Sequence, residues 1–160
     1  MSLILDGSAG VTFPNSTVQA SSGVVLQVVS ATYSTATSTT STTAVTTGLT
    51  ASITPKFSTS KILIISCLGD QATSAQANGN SLFLYKNGAS IGQFGSNQGY
   101  ITSGGGLSIL PSQAICYIDS PATTSSTTYA MYFASRFGSS TATVMYANTL
   151  ASIILMEIAA

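Results

Sequence analysis

Residues 81–92 read SLFLYKNGASIG, and this stretch decides the fold class. Two extended runs flank Asn87-Gly88, a pair that favours a two-residue hairpin turn because both of its residues readily adopt positive φ. The stretch therefore predicts two antiparallel strands joined by a tight turn.

Short β-type runs recur on both sides of this hairpin, separated by Gly, Asn, Pro or Ser/Thr clusters. Leu49, Ala51 and Ile53 alternate with hydroxyl residues, which predicts a strand that is buried on one face. Residues 62–65 are apolar at every position, which predicts a strand covered on both faces. Residues 34–44, STATSTTSTTA, fit either a linker or a loop followed by an edge strand.

These runs together predict one all-β domain. We count about eight strands at a spacing of roughly 8–12 residues, and no window shows the apolar period of a helix. The expected fold is an antiparallel β-sandwich, jelly-roll-like, over residues 23–160. Residues 1–22 differ in pattern and are predicted to form a short extended N-terminal leader.

The last apolar run, residues 150–158, has two apolar faces. Ile153 and Leu155 point to one side, whereas Ile154, Met156 and Ile158 point to the other. The first face fills a core, and the second requires a different cover. A neighbouring subunit and a second sheet of the same chain are the two alternatives.

Charge is scarce in this sequence. Four basic and four acidic residues give a net charge of zero, and charged residues make up 5% of the chain, against about 25% in ordinary soluble domains. Ser and Thr must therefore supply most of the polar groups on the surface. Little electrostatic repulsion separates the copies, so we expect self-association. The dispersed cations argue against nucleic acid as a partner.

Membrane insertion and export are not expected. No apolar stretch approaches the roughly 18 residues of a membrane helix. The first residues, MSLILDGSAG, lack the basic region that begins a secretory signal. The sequence thus predicts synthesis in a cytoplasm, where the chain stays until it assembles.

The residue inventory argues against catalysis and metal binding. The chain has no histidine, which removes Ser-His-Asp and Cys-His arrangements, and two cysteines are too few for a typical zinc site. Cys67 and Cys116 lie in apolar runs and are predicted to be buried thiols; a disulfide would require neighbouring strands. We therefore predict no catalytic residue, no metal and no cofactor.

Three carboxylates require partners. Asp70 and Asp119 each end a strand; they are candidates for a glycosidase pair, but are expected instead to cap turns or to pair with cations. Glu157 lies in the apolar last run, so it is expected to pair with a cation or to lie at the open end of the sheet. The cations considered are Lys61, Lys86 and Arg136.

The glycine-rich stretch GSNQGYITSGGG, residues 95–106, contains a candidate recognition loop. It lacks the Lys and the following helix of a phosphate-binding loop. Asn97, Gln98 and Tyr100 would suit a glycan, through stacking and neutral hydrogen bonds. The alternative is that the glycines serve tight turns or close packing.

The leader carries turns at Asp6-Gly7 and Pro14-Asn15. Its apolar positions alternate, and about twenty residues are too few to bury them within one chain. Three copies around an axis would bury them. The side chains predicted to line that axis or to dock on a larger particle are Val11, Phe13, Pro14 and Val18.

This leader resembles the DG-x-x-G-V-T-F-P-x-x-T-x-Q element of phage tail-fibre and head-decoration proteins, in which it precedes a β-rich domain. The residues of this chain that match the element are Asp6, Gly7, Gly10, Val11, Thr12, Phe13, Pro14, Thr17 and Gln19. The segments 47–64, 116–129 and 154–160 also look like virion-surface domains of that group.

The resemblance implies a bacteriophage structural protein rather than an enzyme. It implies a homotrimer on the virion surface, bound to other capsid or tail proteins through the leader. An alternative role is host attachment, in which the trimer acts as a receptor-binding module of the tail for a host glycan or surface protein. Three linked weak sites would then gain avidity.

Overall fold

The computed structural model describes residues 4–6, 10–12, 18–19, 23–74, 78–100, 106–138 and 140–160, with the backbone alone in the first three ranges. Within these ranges the chain forms fifteen strands and one short 3-10 turn at Tyr146–Asn148. The strands are β1 (Ile4–Asp6), β2 (Gly10–Thr12), β3 (Val18–Gln19), β4 (Val25–Tyr33), β5 (Thr37–Thr39), β6 (Val45–Ile53), β7 (Lys61–Leu68), β8 (Gln71–Ser74), β9 (Asn80–Lys86), β10 (Ala89–Gln98), β11 (Leu107–Leu110), β12 (Gln113–Asp119), β13 (Thr127–Ser135), β14 (Ala142–Val144) and β15 (Ala151–Ile158).

The strands from β4 onward form a jelly roll. Two of the four-stranded sheets have the strand orders β12-β7-β15-β4 and β11-β8-β14-β5. These orders correspond position by position, because β12 follows β11 along the chain, β8 follows β7, β15 follows β14 and β5 follows β4. We call these the lower and upper halves of sheet 1. Sheet 2 has the order β10-β9-β13-β6. Eight continuous antiparallel strands distributed in this way over two sheets form the two Greek keys of a jelly roll, which confirms the predicted fold class.

Several local predictions are confirmed. Asn87 and Gly88 have φ values of 49° and 82°, and Lys86 pairs with Ala89 across a two-residue turn. The strand from Val45 to Ile53 buries alternate residues, as its pattern predicts. The low-complexity stretch contains β5, which is an edge strand of the upper half of sheet 1.

Two burial predictions differ from the structure. Ile62 and Ile64 are fully buried, but Leu63 and Ile65 are only half-buried on the outer face of sheet 1, so this strand is covered fully on one face only. Cys67 is half-buried and Cys116 is exposed, and both thiols are free. The prediction of two buried thiols is wrong because both thiols lie on the outer face of sheet 1. Cys67 is two residues after Ile65 in β7 and so points to the same side, and Cys116 pairs directly with Ile65.

The core lies between the two sheets. Leu49 and Ile53 of β6 meet Ile153 and Leu155 of β15 there, since alternate residues of each strand face inward. The largest fully buried side chains are Tyr129, Phe133, Leu49, Ile53, Ile62, Ile64, Leu68, Leu82, Leu84, Met131, Met145 and Ile153.

The sandwich has two opposite ends. At the entry end, the Gly23 N–H donates to the Ala159 carbonyl at 2.7 Å, and Ile158 pairs with Val25 and Lys61. At the far end, Asn80 pairs with Gln98 and with Ser135. Strands β1–β3 form a three-stranded sheet of their own.

Candidate functional site at the far end

A tight turn at residues 97–100 closes the end of β10. Asn97 lies in the left-handed region at φ 60°, which Asn tolerates better than most residues. The Tyr100 N–H donates to the Asn97 carbonyl at 3.3 Å. The turn leaves the Asn97 side chain exposed and the Tyr100 ring 42% exposed.

A second turn brings another aromatic ring to the same place. Phe137 follows β13 and is 51% exposed, and its ring meets Tyr100 edge-on with centroids 6.1 Å apart. The Arg136 guanidinium lies 5.4 Å from the Phe137 ring centroid, within cation–π range. Tyr100, Phe137 and Arg136 thus form a surface with two aromatic rings and one cation, which we call the aromatic cluster.

Asn78 holds the second turn from below. This fully buried amide donates to the Ser135 hydroxyl and to the Ser140 carbonyl, and its oxygen accepts from the Phe137 N–H at 3.1 Å. A buried amide whose hydrogen bonds are all made is costly to displace. The Phe137 ring is therefore presented from a rigid base.

Close backbone packing joins the two turns. A Cβ atom added to Gly79 would lie 2.7 Å from the Asn97 Cα, so glycine alone allows this approach. The Arg136 N–H donates to the Gly79 carbonyl at 2.8 Å. Residues 78–79 are thus wedged between the two turns and set the spacing of the aromatic cluster.

The three residues proposed for the recognition loop fall in different environments. Asn97 and Tyr100 are exposed at this end. Gln98 is the last residue of β10 and is half-buried, with its side chain folded against Gly95. Phe137 and Arg136 were not among the proposed residues, because nothing in the local sequence pairs residues 97–100 with 136–138.

The leader residues lie largely outside the described part of the chain. Phe13 and Pro14 are outside the described residues, and for Val11 in β2 and Val18 in β3 the structure describes only the backbone. Where the leader joins the sandwich, a cavity of about 360 Å³ opens. Its lining residues are Leu26, Phe57, Thr59, Ala159 and Ala160.

Glu157 lies beside this cavity and is fully buried. Its carboxylate accepts hydrogen bonds from the Gln27 side chain and from the backbone N–H of Lys56 at 2.7 Å and of Phe57 at 3.4 Å. Burial alone would raise the pKa of this carboxyl, but these hydrogen bonds hold the pKa below its ordinary value. The Ser60 hydroxyl also lowers the pKa of Glu157, although no hydrogen bond of good geometry forms at its oxygen.

No cation pairs with Glu157 in the described residues, so the prediction of a cation partner is wrong. The alternative, a position at the end of the sheet, is confirmed, because Glu157 is the second-last residue of β15 and pairs with Ile62 at the entry end. Arg136 lies at the opposite end of the sandwich, and the Lys56 side chain donates to the Leu26 carbonyl instead. Backbone N–H groups of the loop after β6 supply the hydrogen bonds that a cation was expected to supply. The carboxylate thus fastens that loop to β4 and β15.

Asp119 pairs as expected, with the Lys86 ammonium at 2.9 Å. The buried Tyr129 hydroxyl also donates to Asp119 at 2.6 Å. Burial, this hydrogen bond and the charge of Asp119 all raise the pKa of Tyr129. The carboxylate therefore acts as a buried hydrogen-bond acceptor at the entry end.

Asp70 and Asp119 do not form a catalytic pair. Asp119 pairs with Ile62, and Asp70 lies eight residues further along the same strand direction. At about 3.3 Å per residue this places the two carboxylates roughly 26 Å apart, against roughly 5–10 Å in glycosidases. Asp70 accepts instead from the Ser112 hydroxyl at 3.4 Å.

The described residues contain neither a cluster of metal ligands nor a membrane-spanning helix. No three His, Cys, Asp or Glu side chains lie together there in a way that would hold a metal ion. Likewise, none of the helical segments in those residues has the length and apolar character required to cross a membrane.

No protein-family model matches the chain, and no curated protein matches it in sequence. Among solved structures, the chain is similar to the VP2 subviral particle of infectious bursal disease virus, with 15% identity and a TM-score of 0.38 over 84% of this chain and 37% of that chain. It is also similar to the T=1 particles derived from infectious bursal virus, with 13% identity and a TM-score of 0.39 over 84% of this chain and 36% of that chain. The chain thus spans little more than a third of the length of the structures it matches.

Proposed function

We propose that this chain is a structural protein of a bacteriophage particle, a homotrimeric fibre or capsid-decoration subunit displayed on the virion surface. The leader docks on other virion proteins through Val11, Phe13, Pro14 and Val18. The sandwich then extends outward with the aromatic cluster at its tip. The jelly roll is a fold that capsid proteins commonly use, which supports this role by analogy.

The observation that carries the proposal is the separation of the two ends. Gly23, where the leader joins, is hydrogen-bonded to Ala159 at the entry end. Tyr100 and Phe137 lie at the far end, beyond the pairing of Asn80 with Gln98. An anchor at one end and an exposed surface at the other is the arrangement that a displayed protein requires.

The experiment compares single charges placed at the two ends of the full-length chain. Phe13→Asp is expected to prevent incorporation into particles, because a charge on an apolar docking segment must lose its water on binding. Tyr100→Asp is the matched control and should incorporate normally. Immunoblots of purified particles read both variants. Normal incorporation of Phe13→Asp would refute docking through the leader.

A second candidate function is host attachment through the aromatic cluster. Exposed aromatic rings stack on the apolar faces of sugars, and the neutral Asn97 amide adds hydrogen-bonding capacity. Arg136 is the one charged side chain in this cluster and would favour a glycan that carries an acidic group. Two exposed rings on a rigid base favour this role over a purely structural tip.

Adsorption separates the two functions. Phe137→Ala should leave incorporation and particle stability unchanged, and in the attachment role it should lower the adsorption rate by about tenfold, the effect of losing one stacked ring in each of three linked sites. Phe57→Ala, an exposed phenylalanine at the entry end, is the matched control. Unchanged adsorption of Phe137→Ala, with fragile particles when the whole protein is absent, would favour decoration.

A further inference from the structure

The outer face of the lower half of sheet 1 is mainly aliphatic toward the entry end and carries small and hydroxyl side chains toward the far end. In the observed register its side chains form three rows across β4, β15, β7 and β12. The rows are Val28, Met156, Leu63 and Ile118; then Ser30, Ile154, Ile65 and Cys116; then Thr32, Ser152, Cys67 and Ala114. None of these side chains is charged, but exposed Lys61 lies on the same face at the entry-end margin, two residues before Leu63 and paired with Ile158. Val28 and Ile118 are 56% and 54% exposed, so the first row is open to solvent at both edges of the sheet.

The corresponding face of sheet 2 has different chemistry. Tyr85 and Tyr132 stack there with centroids 3.9 Å apart. The Ser52 and Thr128 hydroxyls share a hydrogen bond of 2.7 Å on the neighbouring strands. Hydroxyl groups and tyrosines are compatible with a solvated face, whereas a row of Val, Met, Leu and Ile is not. The alternative cover for Ile154 and Met156, a second sheet of the same chain, does not occur in the described residues, since sheet 2 packs on the opposite side of β15.

The size of this face suits an interface. Four strands at about 4.8 Å and the first two rows at about 6.8 Å give an apolar patch of roughly 19 by 14 Å, or about 260 Å² in projection. The largest apolar patch on a soluble monomer is of this order and is often functional. A stable interface buries about 800 Å² on each partner, so the patch would supply about a third of it as an apolar centre.

Charge decides which partner fits. The apolar rows, with Lys61 at their margin, give little attraction to an acidic or basic partner, and a charge buried against them would lose its water without a partner. Another copy of the same face imposes no such cost, and the chain as a whole has no net charge to keep copies apart.

We infer that this outer face is the surface through which copies of the chain contact one another, turned toward the axis of the trimer. The inference rests on the homotrimer of the proposed function and assigns its interface to the sandwich. Each subunit then presents β4 to one neighbour and β12 to the other, a heterologous contact that closes after three copies.

The first test is the sedimentation velocity of the full-length chain. The wild type should sediment as a trimer, and Met156→Lys should sediment as a folded monomer, because it places a charge in the middle of the aliphatic row. Met156→Leu and Ser90→Lys, the second an exposed strand position of sheet 2, should remain trimers. Circular dichroism checks the fold. If Met156→Lys does not fold, Ile118→Lys decides, since that side chain is already half exposed.

The second test uses Cys116 as a reporter, in a Cys67→Ser background. This thiol is exposed on the single subunit. Contact between copies should slow its alkylation by about tenfold or more relative to the Ile118→Lys variant, since reaction with the reagent requires access.

The outcomes separate the inference from the proposed function. A wild type that sediments as a monomer overturns both. A wild-type trimer that survives Met156→Lys and Ile118→Lys, with fast alkylation of Cys116, overturns the inference and leaves the trimer to the leader. A monomeric variant together with a protected Cys116 in the wild type supports both.

Discussion

Glu157 ties the stability of the fold to pH. Its folded pKa lies below the ordinary value of 4.5. Such a carboxyl stabilises the fold above its unfolded pKa, and the stabilisation is lost as the pH falls through the folded pKa. We expect Glu157→Gln to lower the free energy of unfolding at pH 7 by about 1–3 kcal/mol, since it weakens hydrogen bonds to a buried charge.

Urea denaturation at neutral and acidic pH measures the free energy of unfolding of the wild type and of Glu157→Gln. The wild type should lose stability below about pH 4.5, and Glu157→Gln should lose less over the same interval. Parallel curves for wild type and Glu157→Gln would contradict the assignment.

Gly79 controls the geometry of the aromatic cluster. In Gly79→Ala the new Cβ would meet the Asn97 backbone at 2.7 and 2.8 Å, and backbone atoms do not yield as a flexible side chain does. We expect a loss of about 1–3 kcal/mol in the free energy of unfolding. Amide chemical shifts of residues 97–100 and 136–138 should move, while those near Glu157 should not. Unchanged shifts at Tyr100 would show that the turn tolerates the methyl group.

At single residues, the sequence predicts which groups require a partner better than it predicts which partner they contact. The pairing of Asp119 with Lys86 was among the expected pairs because few cations are available. The exposure of Cys116 was not predictable, since Ile115 and Cys116 are both apolar and periodicity alone does not say which of them faces the core. The partners of Glu157 are backbone N–H groups, which have no signature in the sequence.

Two glycines at positive φ allow the cost of backbone strain in a turn to be compared with the cost of crowding between the two sheets. Gly88 lies in the hairpin with no atom within 4 Å of its missing Cβ, whereas at Gly48 in β6 a Cβ would lie 2.5 Å from the Tyr33 ring of β4. We expect Gly88→Ala to cost about 1 kcal/mol from strain alone. Gly48→Ala should cost about 1–3 kcal/mol more, because the ring must move.

A double-mutant cycle identifies the contact. In a Tyr33→Ala background, Gly48→Ala should cost about as much as Gly88→Ala, since the obstructing ring is gone. Thermal unfolding gives the free energies. An extra cost at Gly48 that persists without Tyr33 would place its origin within β6 rather than between the sheets.

At the level of elements, patterns that are local in sequence were reliable. The Asn87-Gly88 hairpin and the alternation in β6 need only neighbouring residues, and both are confirmed. The aromatic cluster needs two loops that the jelly-roll order brings together, so residues 97–100 predicted only Tyr100 among its three members. The open face beside Ile154 was visible as a second apolar side, but only the topology shows that sheet 2 of the described residues does not cover it.

The whole molecule should be oriented on the particle with its far end outward. In a background that carries Cys67→Ser and Cys116→Ser, Phe57→Cys and Phe137→Cys place a gold label at opposite ends. The nine residues of β13 run between these ends, roughly 30 Å at about 3.3 Å each. Electron microscopy should find the Phe137→Cys label further from the particle surface by about that distance. The reverse order would overturn docking through the leader.

The antiparallel pairing of β4 with β15 has a mechanical consequence. The leader runs directly into β4, whose hydrogen bonds to β15 lie across the strand direction along nearly its full length. A pull between leader and far end therefore loads these bonds together in shear, rather than opening them one by one like a zipper. In the host-attachment role proposed above, a protein tethered in this way would resist drag and yield abruptly at high force.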